Sequence, residues 1–265
     1  MESFSIDHSI DISADNINYR LHDHNRYEIL LFISGNSQFN AEGHLYDLHP
    51  YDLVFTSRNE LHRIVHLSPE KYERYNISFT ADFFAMNDCL KYANTFENKI
   101  PGANNYISAD VVIASGMLDV IKKMCKYYQE GELIVAKCAL IELLYMMNAA
   151  TPLISKAAGN SAYIQNIVAY INNNLTEDLS LNALSRRFHI SVSHISAMFK
   201  KYMKTSPKKY ITHKRLLYAK ELYSDGKTLL EASIEAGFSN YSTFYRMYVD
   251  EFGEAPRTNL TKEPH

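Results

Sequence analysis

Between Tyr19 and Phe79 the chain alternates short apolar runs with polar turns. Tyr27-Glu28-Ile29-Leu30-Leu31-Phe32-Ile33 ends at Ser34-Gly35-Asn36, Leu53-Val54-Phe55 follows, and Tyr75-Asn76-Ile77-Ser78-Phe79 closes the series. Short runs at this spacing predict a small antiparallel sandwich or barrel. After Ala81 the period changes. Ile113, Met117, Val120, Ile121 and Met124 recur at helical spacing, predicting helices over 110–128 and 133–147. In the second of these, Leu140, Leu143, Leu144 and Met147 are expected to form a dimer seam, the alternative being a cover over the barrel.

Thr151 to Asn160 (TPLISKAAGN) carries the breakers Pro152 and Gly159 and is expected to be a linker. The chain then divides into 1–150, a linker over 151–160, and 161–265. The last part is helical throughout. Ile164, Ile167, Val168, Ile171 and Leu175 form one apolar stripe, and Ser180 caps a helix over 181–188. A break at His189-Ile190-Ser191 precedes a helix over 193–203, and Pro207 starts a longer one running to about Ser224. Thr228 caps 229–236, Gly237 breaks it, and 240–252 closes at Gly253 and Pro256. A shift of 49 residues superposes this region on itself: Leu181 on Leu230, Ala183 on Ala232, Ser193 on Ser242, Ile195 on Phe244, Met198 on Met247, Phe199 on Tyr248 and Pro207 on Pro256. Two copies are too few for a solenoid. They fit two helix–turn–helix units on a long connector, with small residues where helices cross and a tight turn between them.

Composition adds context. The chain of 265 residues has room for two ordinary domains, and 46% hydrophobic with 22% charged residues is globular. Cys89, Cys125 and Cys138 are few, odd in number and far apart, which suggests reduced thiols and a cytoplasmic protein. Met1 to Asp15 is polar and acidic with no signal-peptide pattern. The stretch 133–150, broken by Lys137 and Glu142, is expected to be too short and too charged to span a membrane.

Charge changes the picture more. Residues 1–154 sum to −8 and residues 155–265 to +5. Within 181–215 stand Arg186, Arg187, Lys200, Lys201, Lys204, Lys208, Lys209, Lys214 and Arg215 with no acidic residue. Such a block is either a phosphate-facing surface or a solvated helix face.

Residues 191–201 (SVSHISAMFKK), Lys214-Arg215-Leu216 with Ala219, and 235–252 (EAGFSNYSTFYRMYVDEF) with Gly253 and Pro256 resemble the DNA-binding domain of the AraC/XylS family. The resemblance covers about Ser161 to Asn259. It implies that Ser193, Ser196 and Ala197 of the first recognition helix, and Tyr241, Ser242, Thr243 and Arg246 of the second, reach base edges. Lys200 and Lys201 sit at the far end of the first helix, placed for phosphate. Arg246 can donate bidentately to guanine, the alternatives being a phosphate contact or an ion pair with Asp250. Two positions depart from the family. Ala197 stands where a long polar residue is common, and Pro256-Arg257-Thr258-Asn259 lacks the usual Tyr-Arg.

In the first half, His22-x-His24-x₃-Glu28-x₆-Gly35 resembles the first cupin motif, while Gly43, Pro50, Asp52 and Asn59 loosely echo the second, with His62 shortly after. Phe55 occupies the second motif's histidine position. The resemblance implies a sensory barrel in which His22, His24, Tyr27, Glu28 and His62 line a ligand pocket walled by Tyr27, Phe32 and Tyr46. The same histidines and Glu28 are a workable set for Zn²⁺, Fe²⁺ or Mn²⁺, or simply rim residues. Pocket lining is the reading taken, with no cofactor and no metal.

The expectation is therefore an α+β chain: a cupin-like antiparallel β-barrel with following helices, then an all-α domain of two helix–turn–helix units joined by a long helix. The resemblance implies a non-enzymatic, sequence-specific transcription regulator, an activator sensing a small polar metabolite such as a sugar. Its partners would be double-stranded DNA, the effector, a second copy in a homodimer, and RNA polymerase, with no membrane. The alternative is a metal-dependent cupin enzyme carrying a DNA-binding domain.

Overall fold

The structure, a computed structural model, describes residues 3–16, 19–99, 101–150 and 162–257. The expected linker Thr151–Asn160, and Thr258 and Asn259, lie outside the described residues. Contacts divide the chain into two units, Met1–Asn160 and Ser161–His265.

In the first unit β1 (Phe4–Asp11), β2 (Tyr27–Ser34), β5 (Leu53–Thr56), β7 (Tyr72–Phe79) and β8 (Tyr106–Ile107) form one antiparallel sheet, ordered β1-β7-β2-β5-β8. β3 (Ser37–Ala41), β4 (His44–Asp47) and β6 (His62–His66) form a second sheet, ordered β4-β3-β6. Strand β2 explains the arrangement. It lies between β7 and β5 and is covered on both faces, which is why it reads as a nearly unbroken apolar run. Its Tyr27, Ile29 and Leu31 join Leu53, Phe55, Ile77 and Phe79 beneath the helices. Leu30 and Phe32 face the other way, onto Phe39, Tyr46, Ile64 and Tyr72. Strand β1 was not anticipated. Its sequence FSIDHSID alternates as an edge strand should, pairing with β7 alone along Phe4 to Asp11, but five of its eight positions are Ser, Asp or His.

Between β7 and β8 run α1 (Asp82–Met86) and α2 (Asn94–Glu97); after β8 come α3 (Ala109–Ala114), α4 (Met117–Gln129) and α5 (Leu133–Ala150). The side chains of Leu140, Leu143, Leu144 and Met147 are at most 1% exposed, packed with Ile121 and Met124 of α4 and with the sheet residues of that core. They cover the sheet, and the expected dimer seam on these four residues is corrected accordingly. Helix α5 is also, by length and a mean hydropathy of 1.6, long and apolar enough to cross a membrane, contrary to the sequence expectation. What distinguishes it is the buried stripe continuing through Ala136 and Ala139 into the same core.

The second unit holds α6 (Ala162–Asn173), α7 (Leu181–Phe188), α8 (Val192–Met198, continued by one π-turn to Met203), α9 (Pro207–Ser224), α10 (Leu229–Glu235) and α11 (Tyr241–Phe252). Each of the last five starts where its sequence says it should. Ser180, Ser191, Ser206, Thr228 and Asn240 each accept the backbone N–H three residues on, and Thr228 forms a full capping box with Glu231. His189, with φ 54°, ends α7 and Gly253, with φ 74°, ends α11, both left-handed. The α6 stripe buries Ile164, Ile167, Val168 and Ile171 completely, whereas Leu175 lies beyond the helix end.

Candidate functional site

Helices α8 and α11 bury equivalent positions. Ile195 and Phe244, and Phe199 and Tyr248, are fully buried, so these pairs are core, as their spacing required. What the helices leave outside is the candidate DNA surface. Ser193, Ala197, Lys200 and Lys201 are exposed on the α8 side, and Ser242 and Arg246 on α11. Under the 49-residue shift Arg246 matches Ala197, so the two units share one register and differ in reach. Arg246 makes no hydrogen bond or ion pair among the described residues, Asp250 included, which leaves its whole donor fork available.

The remaining candidates differ. The Ser196 hydroxyl donates to the Val192 carbonyl at 2.9 Å and is half-buried. Tyr241 is half-buried with its ring 5.8 Å from that of Phe244. Thr243 lines a cleft of about 660 Å³ together with Lys208, Arg215, Gly237 and Met247.

The basic block is split by the fold. Arg186, Arg187, Lys200, Lys201, Lys204, Lys208 and Lys209 are exposed, with Arg187 lying 4.2 Å from the Tyr170 ring centre. Lys214 is buried against Tyr210. Arg215 donates to the carbonyls of Leu175 (2.8 Å), Gly237 (2.9 Å) and Glu177 (2.7 Å), tying the segment after α6 to the turn before α11. These last two positions are structural, which corrects their assignment to a phosphate-facing surface.

In the first unit a cavity of about 530 Å³ is lined by Tyr19, Arg20, His22, Glu28, Leu30, Phe39, His62, Arg63, Ile64, Arg74 and Asn76. Glu28 is the one polar interruption in the apolar run of β2, and it is the residue that points to this cavity. His24 is not on the lining but contacts Glu28, its Nε2 standing 2.7 Å from the carboxylate. Tyr27, one residue from Glu28, faces the opposite side of the sheet. Its ring packs on Phe79, Phe84 and Phe96, and its hydroxyl donates to Glu97. Phe32 and Tyr46 are buried in the inter-sheet core, and the Tyr46 hydroxyl donates to the Gly102 carbonyl at 2.6 Å. Tyr27, Phe32 and Tyr46 are therefore not the walls; Leu30, Phe39 and Ile64 are.

The sequence reading missed Arg63, Arg74 and Asn76. The signal was period-2 alternation: Tyr72, Arg74 and Asn76 share one face of β7, opposite Ile77 and Phe79. The Nε atoms of Arg63 and Arg74 and the Oδ1 of Asn76 are buried without a hydrogen-bond partner.

Burial alone would push the Glu28 carboxyl up, but His24 and His62 hold it well below the usual carboxylate range. Burial likewise works against a charged His62, and attraction to Glu28, 3.8 Å away, more than offsets it. His22 is driven the other way, by burial and then by His62.

Comparison with known proteins agrees with this division. A family model described as an AraC-like ligand binding domain matches residues 10–90, and one described as a helix-turn-helix domain matches 184–261. The uncharacterized HTH-type transcriptional regulator YdiP of Escherichia coli is 26% identical over 90% of this chain and 79% of its own length. The lactose operon transcription activator of Staphylococcus xylosus is 22% identical over 92% and 86%. The melibiose operon regulatory protein of E. coli is 26% identical over 36% of this chain and 32% of its own.

Proposed function

The chain belongs to the AraC family of DNA-binding transcriptional regulators with a ligand-binding domain, and from that premise we propose that it is a metabolite-responsive activator, working as a homodimer. In this reading α8 and α11 read an operator, Arg246 makes the principal base contact, and the cavity beside Glu28 holds the effector. The observation that carries it is the duplication: two side-chain-capped helices, 49 residues apart, bury the same register positions and present the same ones to solvent. A single amphipathic helix has many uses, but a matched pair on one connector fits successive major-groove segments.

The effector is a small polar metabolite, a sugar or another oxygen-rich molecule. The unpartnered donors of Arg63 and Arg74 call for acceptor oxygens, and the apolar Leu30, Phe39 and Ile64 suit a carbon skeleton. Two of the relatives regulate sugar operons by name, one of them an activator, which supports both the effector class and the sign of regulation. Contact with RNA polymerase follows from an activating role.

Footprinting of the full chain on genomic DNA, with and without a panel of sugars and related metabolites, tests this. The expected result is protection of a discrete site whose occupancy changes with one compound, and loss of that response in Arg74→Met. Uniform, sequence-independent protection would overturn it.

A further inference from the structure

The cavity of the first unit is polarised along its length. Arg74 and Asn76 share one face of β7, opposite Phe32 and Leu30 of β2, whereas Glu28 lies opposite Ser78, further along the same strand. From Arg74 to Ser78 is roughly 13 Å of strand. The carboxylate end is closed on itself, because His24 and His62 hold Glu28. Cations outnumber it. Arg20, Arg63 and Arg74 line the cavity with Glu28 as the one carboxylate among the lining residues, and none of the three forms an ion pair among the described residues.

The Arg74 guanidinium is fixed in place without a counter-charge. It lies 5.5 and 5.4 Å from the ring centres of Tyr19 and Tyr72 and donates to the Tyr72 hydroxyl at 3.3 Å. Two aromatic rings and one neutral acceptor hold the group, while its Nε stays buried without a partner. The Nε of Arg63 is buried and unpartnered as well, and burial lowers that guanidinium from its ordinary value with no anion to offset it. A guanidinium keeps its proton regardless, and a charge taken out of water without a partner is destabilising. Acids are not scarce in this part of the chain, since residues 1–154 sum to −8. They are kept away from these two side chains. Asn76 completes the pattern, with its Oδ1 also buried and unpartnered. Its amide offers a donor and an acceptor, the complement of a hydroxyl.

We propose that the effector is an acid: a small hydroxylated molecule whose carboxylate or phosphate group is held by Arg74 and Arg63. One of its hydroxyls bonds Asn76, two strand positions or about 7 Å from Arg74. Leu30, Phe39 and Ile64 cover its carbon skeleton. This rests on the reading that the cavity holds the effector, and it narrows that reading. A neutral sugar leaves both guanidiniums without counter-charge, whereas a carboxylate or phosphate accepts paired N–H bonds from an arginine fork.

Thermal unfolding of the full chain, without DNA, tests the class. The probes are acids, each set against its neutral parent at equal ionic strength: glycerate and glycerol, gluconate and sorbitol, glucuronate and glucose, glucose 6-phosphate and glucose. Inorganic phosphate is set against chloride. The expected result is a saturable rise in melting temperature with at least one acid and a smaller rise, or none, with its neutral parent. Which acid responds separates a carboxylate from a phosphate. Calorimetric titration of that acid should show affinity weakened about 10- to 100-fold in Arg74→Met. Arg63→Met, whose guanidinium has no bond within the fold to lose, should weaken it as well, with circular dichroism checking that both variants fold. Binding of no acid, preference for a neutral parent, or equal binding by wild type and both variants would overturn the assignment. A neutral compound that alters the footprint while no acid binds would sink this inference and leave the regulatory reading standing; acid binding to a chain that protects no discrete site would do the reverse.

Discussion

Two residues show how much of each unit hangs on local geometry. Gly237 has φ +89°, and a Cβ there would lie 2.8 Å from Arg215 Cζ and 2.9 Å from the Leu175 carbonyl oxygen. Gly237→Ala therefore combines backbone strain with displacement of the guanidinium that bonds three carbonyls. Gly226, with φ +95° and nothing within 4 Å of a built Cβ, isolates the strain. Chemical denaturation should show Gly226→Ala costing about 1–2 kcal/mol and Gly237→Ala clearly more; equal costs would mean Arg215 gives way freely. In the first unit Lys99 places Nζ 2.7 and 2.6 Å from the two oxygens of Glu60, and both side chains are buried. Burial pushes the Glu60 carboxyl up, but Lys99 and the N–H groups of Gly102 and Ser57 hold it below its ordinary value of 4.5. With a depressed folded pKa, this stabilisation is present above the ordinary value and disappears as the pH drops through the folded one. Lys99→Met strands a buried carboxylate and should cost about 3–5 kcal/mol at neutral pH. The deficit should shrink on acidification, since the variant's Glu60 can then bind a proton. A pH-independent deficit in urea melts would mean the loss is one of packing.

At the scale of elements, the helices of the second unit were legible because their boundaries are chemical. Ser180, Pro207 and Thr228 mark starts that the structure places at Leu181, Pro207 and Leu229, and Gly253 ends the last helix. The strands were less so. Tyr27 and Glu28 are adjacent on β2, and a period of two forbids both from facing one pocket. Residue type suggested both as lining; alternation assigns Glu28 to the cavity and Tyr27 to the helix side. Whether α5 met a second chain or its own sheet was equally undecided by pattern, because a buried stripe has the same period against either surface. For α8 and α11 the element view separates candidates that motif alone puts together. Arg246→Ala should cost about 1–3 kcal/mol on the operator and relax one base position. Ser196→Ala should change affinity by less than about 0.5 kcal/mol, because that hydroxyl already bonds the Val192 carbonyl. A gel-shift series over single-base operator variants reads both; an Arg246→Ala loss that is equal on every sequence would reassign that side chain to phosphate.

For the whole molecule the decisive feature is where its charge sits. A net charge of −3 looks unsuited to a polyanion, yet it divides into −8 before position 155 and +5 after it. Seven of the nine basic residues between 181 and 215 are exposed, while Lys214 and Arg215 are spent on the interior. The acidic part contributes repulsion that salt screens, and the basic part contributes counterion release, which salt opposes. These have opposite salt dependences, so the slope of log affinity against log salt is the phosphate term of the second unit less the relief of repulsion, and the change in slope when a lysine is removed reports that lysine's phosphate contact. If about six phosphates are met, affinity should fall roughly a thousandfold between about 50 and 200 mM salt. Lys200→Ala with Lys201→Ala should lower that slope by about 2 and weaken operator and random DNA alike, whereas Arg246→Ala should act mainly on the operator. Fluorescence anisotropy on both DNAs across a salt series separates these effects. A slope unchanged by removing the two lysines would move the phosphate contacts to Arg186, Arg187, Lys208 and Lys209, on α7 and at the start of α9.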